Sequence, residues 1–448
     1  MKRTYVGSLA CQRDSSLLKG FQTTVVSCEA VDSKDNKEGP PMYHVELHDT
    51  ILFPEGGGQP SDTGVLKVLD GPNANESVVV SHVAREGLHA KHCVDNLIEP
   101  GTKVEITVDS GRRIDYMQQH TGQHLLSALL EQKYDLRTLS WSMGEIPNDK
   151  KGPLEINDYF NYLEIPRRMS EQEIRDLSDA MNHYILVEPM SISIREATRE
   201  AVGSLNTDKI PDDYDLSKGI VRTVHIGTMD ANPCCGTHLK ETGQIGSILI
   251  LPNQTTVRGT NSRLYFMCGQ RVNKYGEMAS EILTKTKAKL SCQEAQIPDK
   301  IEKQKDQIQK LSKREQYWMR ELAAYESKAI IEQLKQNRKA YLLKDTFGTL
   351  EYLLHILKEI RPACQGMPNY ILLLCGRDRQ TETGSIIILS TSGEDISRIS
   401  GKLSSCFRCI KGGGGSSGGK WQAKMAKVTN QEWTALEEFV AFEFKLGT

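Results

Sequence analysis

His120 and His124, four positions apart, and Cys234 and His238, again four positions apart, constrain this chain more than any other feature of its sequence. The histidines fall in a segment, 112 to about 133, where Ile114, Met117, Leu125, Leu126, Leu129 and Leu130 recur at helical spacing. Both imidazoles therefore project from one face of a predicted helix. The second pair sits in a turn-rich stretch, Pro233-Cys234-Cys235-Gly236. Together the pairs offer three neutral imidazoles and a thiolate, a donor set that suits one Zn²⁺ per chain. A fold that spends both pairs on one ion must carry the turn onto the helix.

Four protein ligands ordinarily describe a closed, structural site, whereas a catalytic zinc keeps a position open for water or substrate. A catalytic reading then requires a fifth ligand position or one loosely held donor. Cys235 could replace its neighbour as the thiolate. Cys234 is preferred because its offset to His238 equals that of the histidine pair.

The rest of the chain sets the context. Its 448 residues suggest roughly three domains, and 56 Lys plus Arg against 58 Asp plus Glu leave a net charge of −2, so any nucleic-acid contact must be a local patch. Eleven irregularly spaced cysteines, an odd number, fit a reducing compartment and a cytoplasmic protein. No apolar run approaches the ~18 to 20 residues of a membrane helix, so no membrane partner is expected.

Residues 1–110 read as a small β-rich, barrel-like domain, with strands at 21–28 and 43–47 between Gly, Pro, Asn and Asp clusters. Residues 111–275 read as an α+β domain, with a second helix starting near 171 behind the capping pair Ser170 and Glu173, and strands at 221–226 and 246–251. Over 276–344 a helical arm is expected. Ile301, Ile308, Leu311, Trp318, Leu322 and Tyr325 lie there near heptad spacing, which suits either a solvated spacer or a homodimer seam. Residues 345–448 read as a small α/β domain with strands at 370–375 and 385–390 and a last helix at 432–444. Within it Arg408, Lys411, Lys420, Lys424 and Lys427 surround a Gly-rich run, 412–419, with no acidic residue between Cys406 and Lys427. That is the local basic patch a near-neutral chain would need to hold a phosphate backbone.

A last motif is Phe53-Pro54-Glu55-Gly56-Gly57-Gly58-Gln59-Pro60. Three consecutive glycines let backbone approach another surface and expose its N–H groups, and Gln59 adds a donor and an acceptor. A tight hairpin would use the same residues.

Residues 50–60, His120-Thr121-Gly122-Gln123-His124 and Cys234-Cys235-Gly236-Thr237-His238 together resemble the alanyl-tRNA editing proteins, relatives of the editing domain of alanyl-tRNA synthetase. The likeness runs over essentially the whole chain and is closest to the long, eukaryotic, free-standing form. It implies zinc on His120, His124, Cys234 and His238, and an active site lined by Gly57, Gly58 and Gln59. It also implies a serine-selecting threonine, for which Thr50 is the nearest match, and a tRNA-binding tail. The implied reaction is hydrolysis, in trans, of the ester in a mischarged aminoacyl-tRNA.

Serine is the natural error to remove, because an apolar pocket built for alanine rejects an added hydroxyl by only ~10². A site that hydrogen-bonds the hydroxyl spares the analogue lacking it. Seryl-tRNA(Ala) is thus the expected substrate, with glycyl-tRNA(Ala) beside it. Seryl-tRNA(Thr) and a non-catalytic tRNA-binding protein with structural zinc are the alternatives. Gln123 stands in a motif where the family is richer in alanine, and this bears on the floor of the pocket.

Overall fold

The computed structural model describes residues 3–31, 41–144, 159–197, 220–414 and 419–444. The chain divides into two compact units, Met1–Lys285 and Thr286–Thr448. Both mix helices and sheets, in keeping with the α+β class expected from the sequence.

In the first unit six strands, β1 (Phe21–Ala30), β2 (Tyr43–Leu47), β3 (Gly64–Val68), β4 (Ser77–Glu86), β5 (His89–Val94) and β6 (Lys103–Val108), close into a barrel in the order β1-β2-β5-β4-β3-β6. Alternation drives this, with Val78, Val80 and Val83 of β4 and Val104, Ile106 and Val108 of β6 turned into a core they share with Leu66 and Val94. A register shift between Val80 and His82 lets β4 bend, as barrel closure requires.

The predicted histidine helix is α1 (Ser110–Tyr134). Asp109 caps it by accepting the Arg112 N–H, and Asp135 ends it in the left-handed conformation at φ 53°. Leu125, Leu126, Leu129 and Leu130 are buried on its inner face, each contributing about 1.5–3 kcal/mol. They pack with Leu163, Ile165, Leu264 and Phe266 of a sheet ordered β12-β14-β8-β7. Its strands are β7 (Ser140–Ser142), β8 (Asn161–Ile165), β12 (Ile248–Ile250) and β14 (Ser262–Cys268), with the two-residue β13 (Thr255–Thr256) paired to β14. Helix α2 (Glu171–Asn182) begins at the anticipated Ser170 and Glu173 capping box. A three-stranded sheet places β10 (Val221–Ile226) between β11 (Asp230–Pro233) and β9 (Ile192–Ala197). Helix α3 (Gln270–Leu290) then leads out of the unit.

The barrel is tied to α1 by a buried pair. Arg113 and Asp62 are both fully enclosed; Arg113 also donates to the Ser15 and Ile51 carbonyls, and Asp62 accepts the Phe53 N–H at 2.6 Å. Removing either partner would strand a buried charge, at a cost of about 3–5 kcal/mol. This pair locks both ends of the Gly-rich loop to the helix that carries His120.

In the second unit α4 (Ile297–Asn337) is a 41-residue helix on which Ile301, Ile308, Leu311, Trp318, Leu322 and Tyr325 are exposed, while Ala323, Ile330 and Leu334 are buried. The helical arm expected over 276–344 is corrected at its end. Arg338, at φ 56°, terminates the helix, and Lys339–Lys344 is strand β15, paired in parallel with β16 (Ile371–Asp378). Ala340-Tyr341-Leu342-Leu343 fits a half-buried edge better than a solvated helix. The sheet runs β15-β16-β17-β19-β18, with β17 (Thr383–Ser390), β18 (Ile410–Gly413) and β19 (Lys420–Met425). Helices α5 (Leu350–Cys364), α6 (Gly393–Cys406) and α7 (Asn430–Glu443) complete it. Of the expected Gly-rich run, Gly412 and Gly413 close β18, and residues 415–418 lie outside the described residues.

Candidate metal centre

His120 and His124 lie one turn apart on α1, and their ring centroids are 5.3 Å from each other. The turn after β11 brings Cys234 and His238 onto them, with His238 at 4.5 Å from His120 and 4.8 Å from His124, centroid to centroid. One ligand atom from each of the four residues lies within 4.8 Å of every other. Cys234 Sγ is 3.4 Å from His120 Nε2 and 3.3 Å from His238 Nε2. Of the two adjacent thiols, Cys234 joins this group. Cys235 Sγ turns instead to the Gly-rich loop, where a Cβ built on Gly57 would meet it at 3.1 Å.

Each imidazole is held from behind through Nδ1. His120 Nδ1 faces Gln59 Oε1 at 2.8 Å, His124 Nδ1 faces Asp230 Oδ2 at 3.1 Å, and His238 Nδ1 faces Thr121 Oγ1 at 3.3 Å. An acceptor behind Nδ1 fixes the tautomer with its proton there and leaves Nε2 as the lone-pair donor, the arrangement that orients metal-ligating histidines. The donor set and its supports fit a divalent ion that takes nitrogen and sulfur in tetrahedral geometry.

Electrostatics agree. Burial opposes ionisation of Cys234, but the electrostatic pull of His120 and His238 and hydrogen bonds from His120 and His124 outweigh it and hold the thiol well below its ordinary range. For His124, burial disfavours the cation, yet the bonds to Asp230 and Cys234 prevail and raise it to about 9. Burial pushes His238 down to about 3 and Cys235 up to about 12. Cys234 is thus the reactive thiol of the two, and Cys235 stays protonated.

The other sequence-predicted residues take distinct places. Gln59 is 2 % exposed, and its Oε1 also accepts the Thr237 N–H at 3.1 Å while its Nε2 donates to Thr237 Oγ1 at 2.8 Å. The backbone donor settles which end of the amide is oxygen. Gly57 and Gly58 both have positive φ, 62° and 81°. A Cβ on Gly58 would come within 2.8 Å of the Trp141 ring, so only glycine fits beneath that indole. Thr50 is 1 % exposed; its hydroxyl is 2.9 Å from His92 Nε2 and accepts the Leu52 N–H at 3.0 Å.

These groups border a cavity of about 980 Å³. Gly56, Gly57, His120, Gln123, His124, Trp141, Cys234 and Cys235 are among its walls, whereas Thr50, Gly58 and Gln59 are not. In the second unit Arg408, Lys411, Lys424 and Lys427 are exposed and Lys420 half-buried. Lys411 stands directly across the ladder from Lys424.

Sequence reasoning missed Asp230, Trp141 and Arg222. Asp230 precedes Cys234 by four positions, the same offset as the ligand pairs, and Arg222 is a lone cation in the otherwise apolar start of β10; both were readable signals. Trp141 carried none, since a lone aromatic says nothing of which helix it will face.

Residues 221–265 match the family described as the threonyl and alanyl tRNA synthetase second additional domain. The chain is 53 % identical to the alanyl-tRNA editing protein alaX of Saccharomyces cerevisiae, over 98 % of this chain and 97 % of that one. It is 28 % identical to the alanyl-tRNA editing protein Aarsd1 of Mus musculus, over 94 % of this chain and 95 % of that one. Against the alanine–tRNA ligase of Pyrococcus abyssi it is 27 % identical, over 86 % of this chain and 39 % of the ligase.

Proposed function

From the premise that the chain belongs to the alanyl-tRNA editing protein family, we propose that it deacylates mischarged aminoacyl-tRNA, with seryl-tRNA(Ala) as its principal substrate and glycyl-tRNA(Ala) as a second. The observation that carries this reading is that three of the four donors, His120, His124 and Cys234, stand in the wall of a cavity they share with Gly56 and Gly57 of the Gly-rich loop. A purely structural metal has no need of a cavity at its side.

His120, His124, Cys234 and His238 would hold the ion, and three imidazoles with a thiolate are a donor set that suits zinc. When bound, zinc supplies Lewis acidity and lowers the pKa of a coordinated water. The chain's own residues do the rest. Gly57 and Gly58 form the turn between Gly56 and Gln59, which exchange both backbone hydrogen bonds, and the Gly57 N–H, at the cavity wall, is a donor for the developing oxyanion of the ester. Trp141 gives the cavity an apolar wall against the His120 ring, 4.9 Å away.

Gln59 and Asp230 act as positioning residues, through His120 and His124. Thr50 acts from within, by holding the start of the Gly-rich loop. Selection of serine then falls to polar groups on the wall itself. Gln123 spends its Nε2 on Ser127 Oγ at 2.9 Å, which presents Oε1 as an acceptor for the serine hydroxyl.

The second unit would hold the tRNA body through Arg408, Lys411, Lys420, Lys424 and Lys427, and the setting would be the cytoplasm, where charged tRNA is consumed. A panel of seryl-tRNA(Ala), glycyl-tRNA(Ala), seryl-tRNA(Thr) and alanyl-tRNA(Ala), each incubated with zinc-loaded protein, tests the whole reading. Release of serine from tRNA(Ala), with alanine left in place, is the expected result. Faster hydrolysis of seryl-tRNA(Thr) would move the substrate to threonine tRNA, and no hydrolysis of any ester would leave a tRNA-binding protein with a structural metal.

A further inference from the structure

Arg222, on β10, is 3 % exposed and lines the same cavity as Cys234, Cys235 and Trp141. Its Nη1 donates to the carbonyls of Cys235 and Gly236, at 2.9 and 3.1 Å. Among the described residues its buried Nε and Nη2 have no hydrogen-bond partner and it forms no ion pair. Glu196, opposite it in the ladder with β9, is exposed and does not close on it. A buried guanidinium edge with neither N–H paired among the described residues is costly, and such an orphan calls for an acceptor that belongs there, an anion above all.

The two uncommitted atoms make up one edge of the guanidinium. That edge presents two parallel N–H groups, the geometry that matches two oxygens of a phosphate or carboxylate. The aminoacyl ester and a 5′-phosphodiester are carried by the same terminal nucleotide, so a cavity that admits the ester must also receive that phosphate. We propose that Arg222 is the phosphate subsite of the cavity and pairs its Nε and Nη2 edge with the 5′-phosphodiester of the terminal adenosine, while Nη1 keeps the metal-binding turn in place. The subsite rests on the reading that the cavity takes the aminoacyl end of tRNA. It divides the work on the substrate, with the anion at Arg222 setting how deep the nucleotide enters and the ester then reaching the metal-binding wall.

The test uses two non-hydrolysable amides, 3′-deoxy-3′-(L-serylamino)adenosine and its 5′-phosphate methyl ester, titrated calorimetrically into the zinc-loaded full chain. Wild type should bind the phosphorylated form about tenfold more tightly, the scale of one charge-assisted pair. Arg222→Gln should bring that ratio close to one at unchanged zinc content, and Arg222→Lys should recover part of the preference. No phosphate preference in wild type overturns the subsite. Equal loss of both forms in Arg222→Gln, with falling zinc content, also overturns it, since the arginine would then only brace the turn. If the broader reading is wrong, neither amide binds wild type and mischarged tRNA is left intact, which takes the subsite down with it and is distinguishable from the first two outcomes.

Discussion

His120 Nδ1 lies 2.8 Å from Gln59 Oε1, and that oxygen also accepts the Thr237 N–H. One buried amide from the Gly-rich loop of the barrel therefore fastens the histidine helix to the Cys/His turn. Gly236 makes the approach possible, since a Cβ there would sit 2.3 Å from the His120 ring.

Gln59→Leu should accordingly lower zinc affinity about 10- to 100-fold, the cost of losing an outer hydrogen-bond partner of a metal ligand. Competition with a colorimetric chelator measures it. Unchanged affinity together with lost hydrolysis would mean that Gln59 touches the substrate instead.

Cys234 and Cys235 should separate cleanly. Cys234→Ser removes the thiolate held between His120 and His238 and should abolish both stoichiometric zinc and deacylation, as should His120→Ala or His124→Ala. Cys235→Ser changes a buried, protonated thiol that faces Gly57, and one zinc per chain should survive it. Elemental analysis of the purified variants decides the matter; full activity in zinc-free wild type would sink the metal assignment altogether.

The barrel should carry an acid-sensitive point at His92. Its Nδ1 donates to the Val45 carbonyl and its Nε2 accepts from Thr50, so the neutral ring is what fits, and burial pushes its pKa down to about 4 from an ordinary 6.5. A folded-state pKa below the unfolded one means the unfolded chain binds the proton first. This contribution is therefore complete above pH 6.5 and is lost as pH falls from there to about 4. It amounts to at most ~3.5 kcal/mol, at ~1.4 per pH unit. Urea titrations at pH 7.5 and pH 5 should show a smaller acid loss in His92→Gln than in wild type. Thr50→Val should cost ~1–3 kcal/mol by leaving His92 Nε2 and the Leu52 N–H unpaired. It should slow hydrolysis of seryl and glycyl esters alike; a selective loss on seryl ester would return Thr50 to the substrate.

The elements of the first unit were legible wherever one period dominated. The β-branched stretches at 21–28 and 43–47 announced β1 and β2, the Ser170 and Glu173 pair announced α2, and the leucines of α1 announced the face opposite its histidines. The metal donors were legible because their spacing repeats. Which residue stands behind which imidazole was not, because the Gln59–His120, Thr121–His238 and Asp230–His124 contacts join segments far apart in sequence, which no local period encodes. Thr50 shows the same limit, since its place in a motif said nothing of whether its hydroxyl would meet substrate or His92. The end of the helical arm was missed for a related reason: Lys339–Lys344 is strand because the β16 edge is there to receive it.

The basic ribbon of the second unit carries the last prediction. Lys411 and Lys424 face each other across the β18 and β19 ladder, with Arg408 and Lys427 exposed nearby. Like charges directly opposed across a ladder are unfavourable by themselves, and a phosphate backbone laid along the ribbon would relieve them. Each phosphate neutralised on a duplex adds ~0.9 to the slope of log affinity against log salt. Lys411→Glu with Lys424→Glu should thus weaken binding of full-length mischarged tRNA(Ala) and reduce its salt slope by ~2, with hydrolysis of a short acceptor-stem ester barely altered. Removal of the whole unit, Thr286–Thr448, should reproduce both effects more strongly, because binding through two linked sites gains from the effective concentration that the first contact gives the second. Fluorescence anisotropy across a salt series, run beside the hydrolysis assay on both substrates, reads the two quantities independently. An unchanged slope in the double variant would remove the ribbon from the tRNA path, and equal loss on the short substrate would place the damage in the first unit instead.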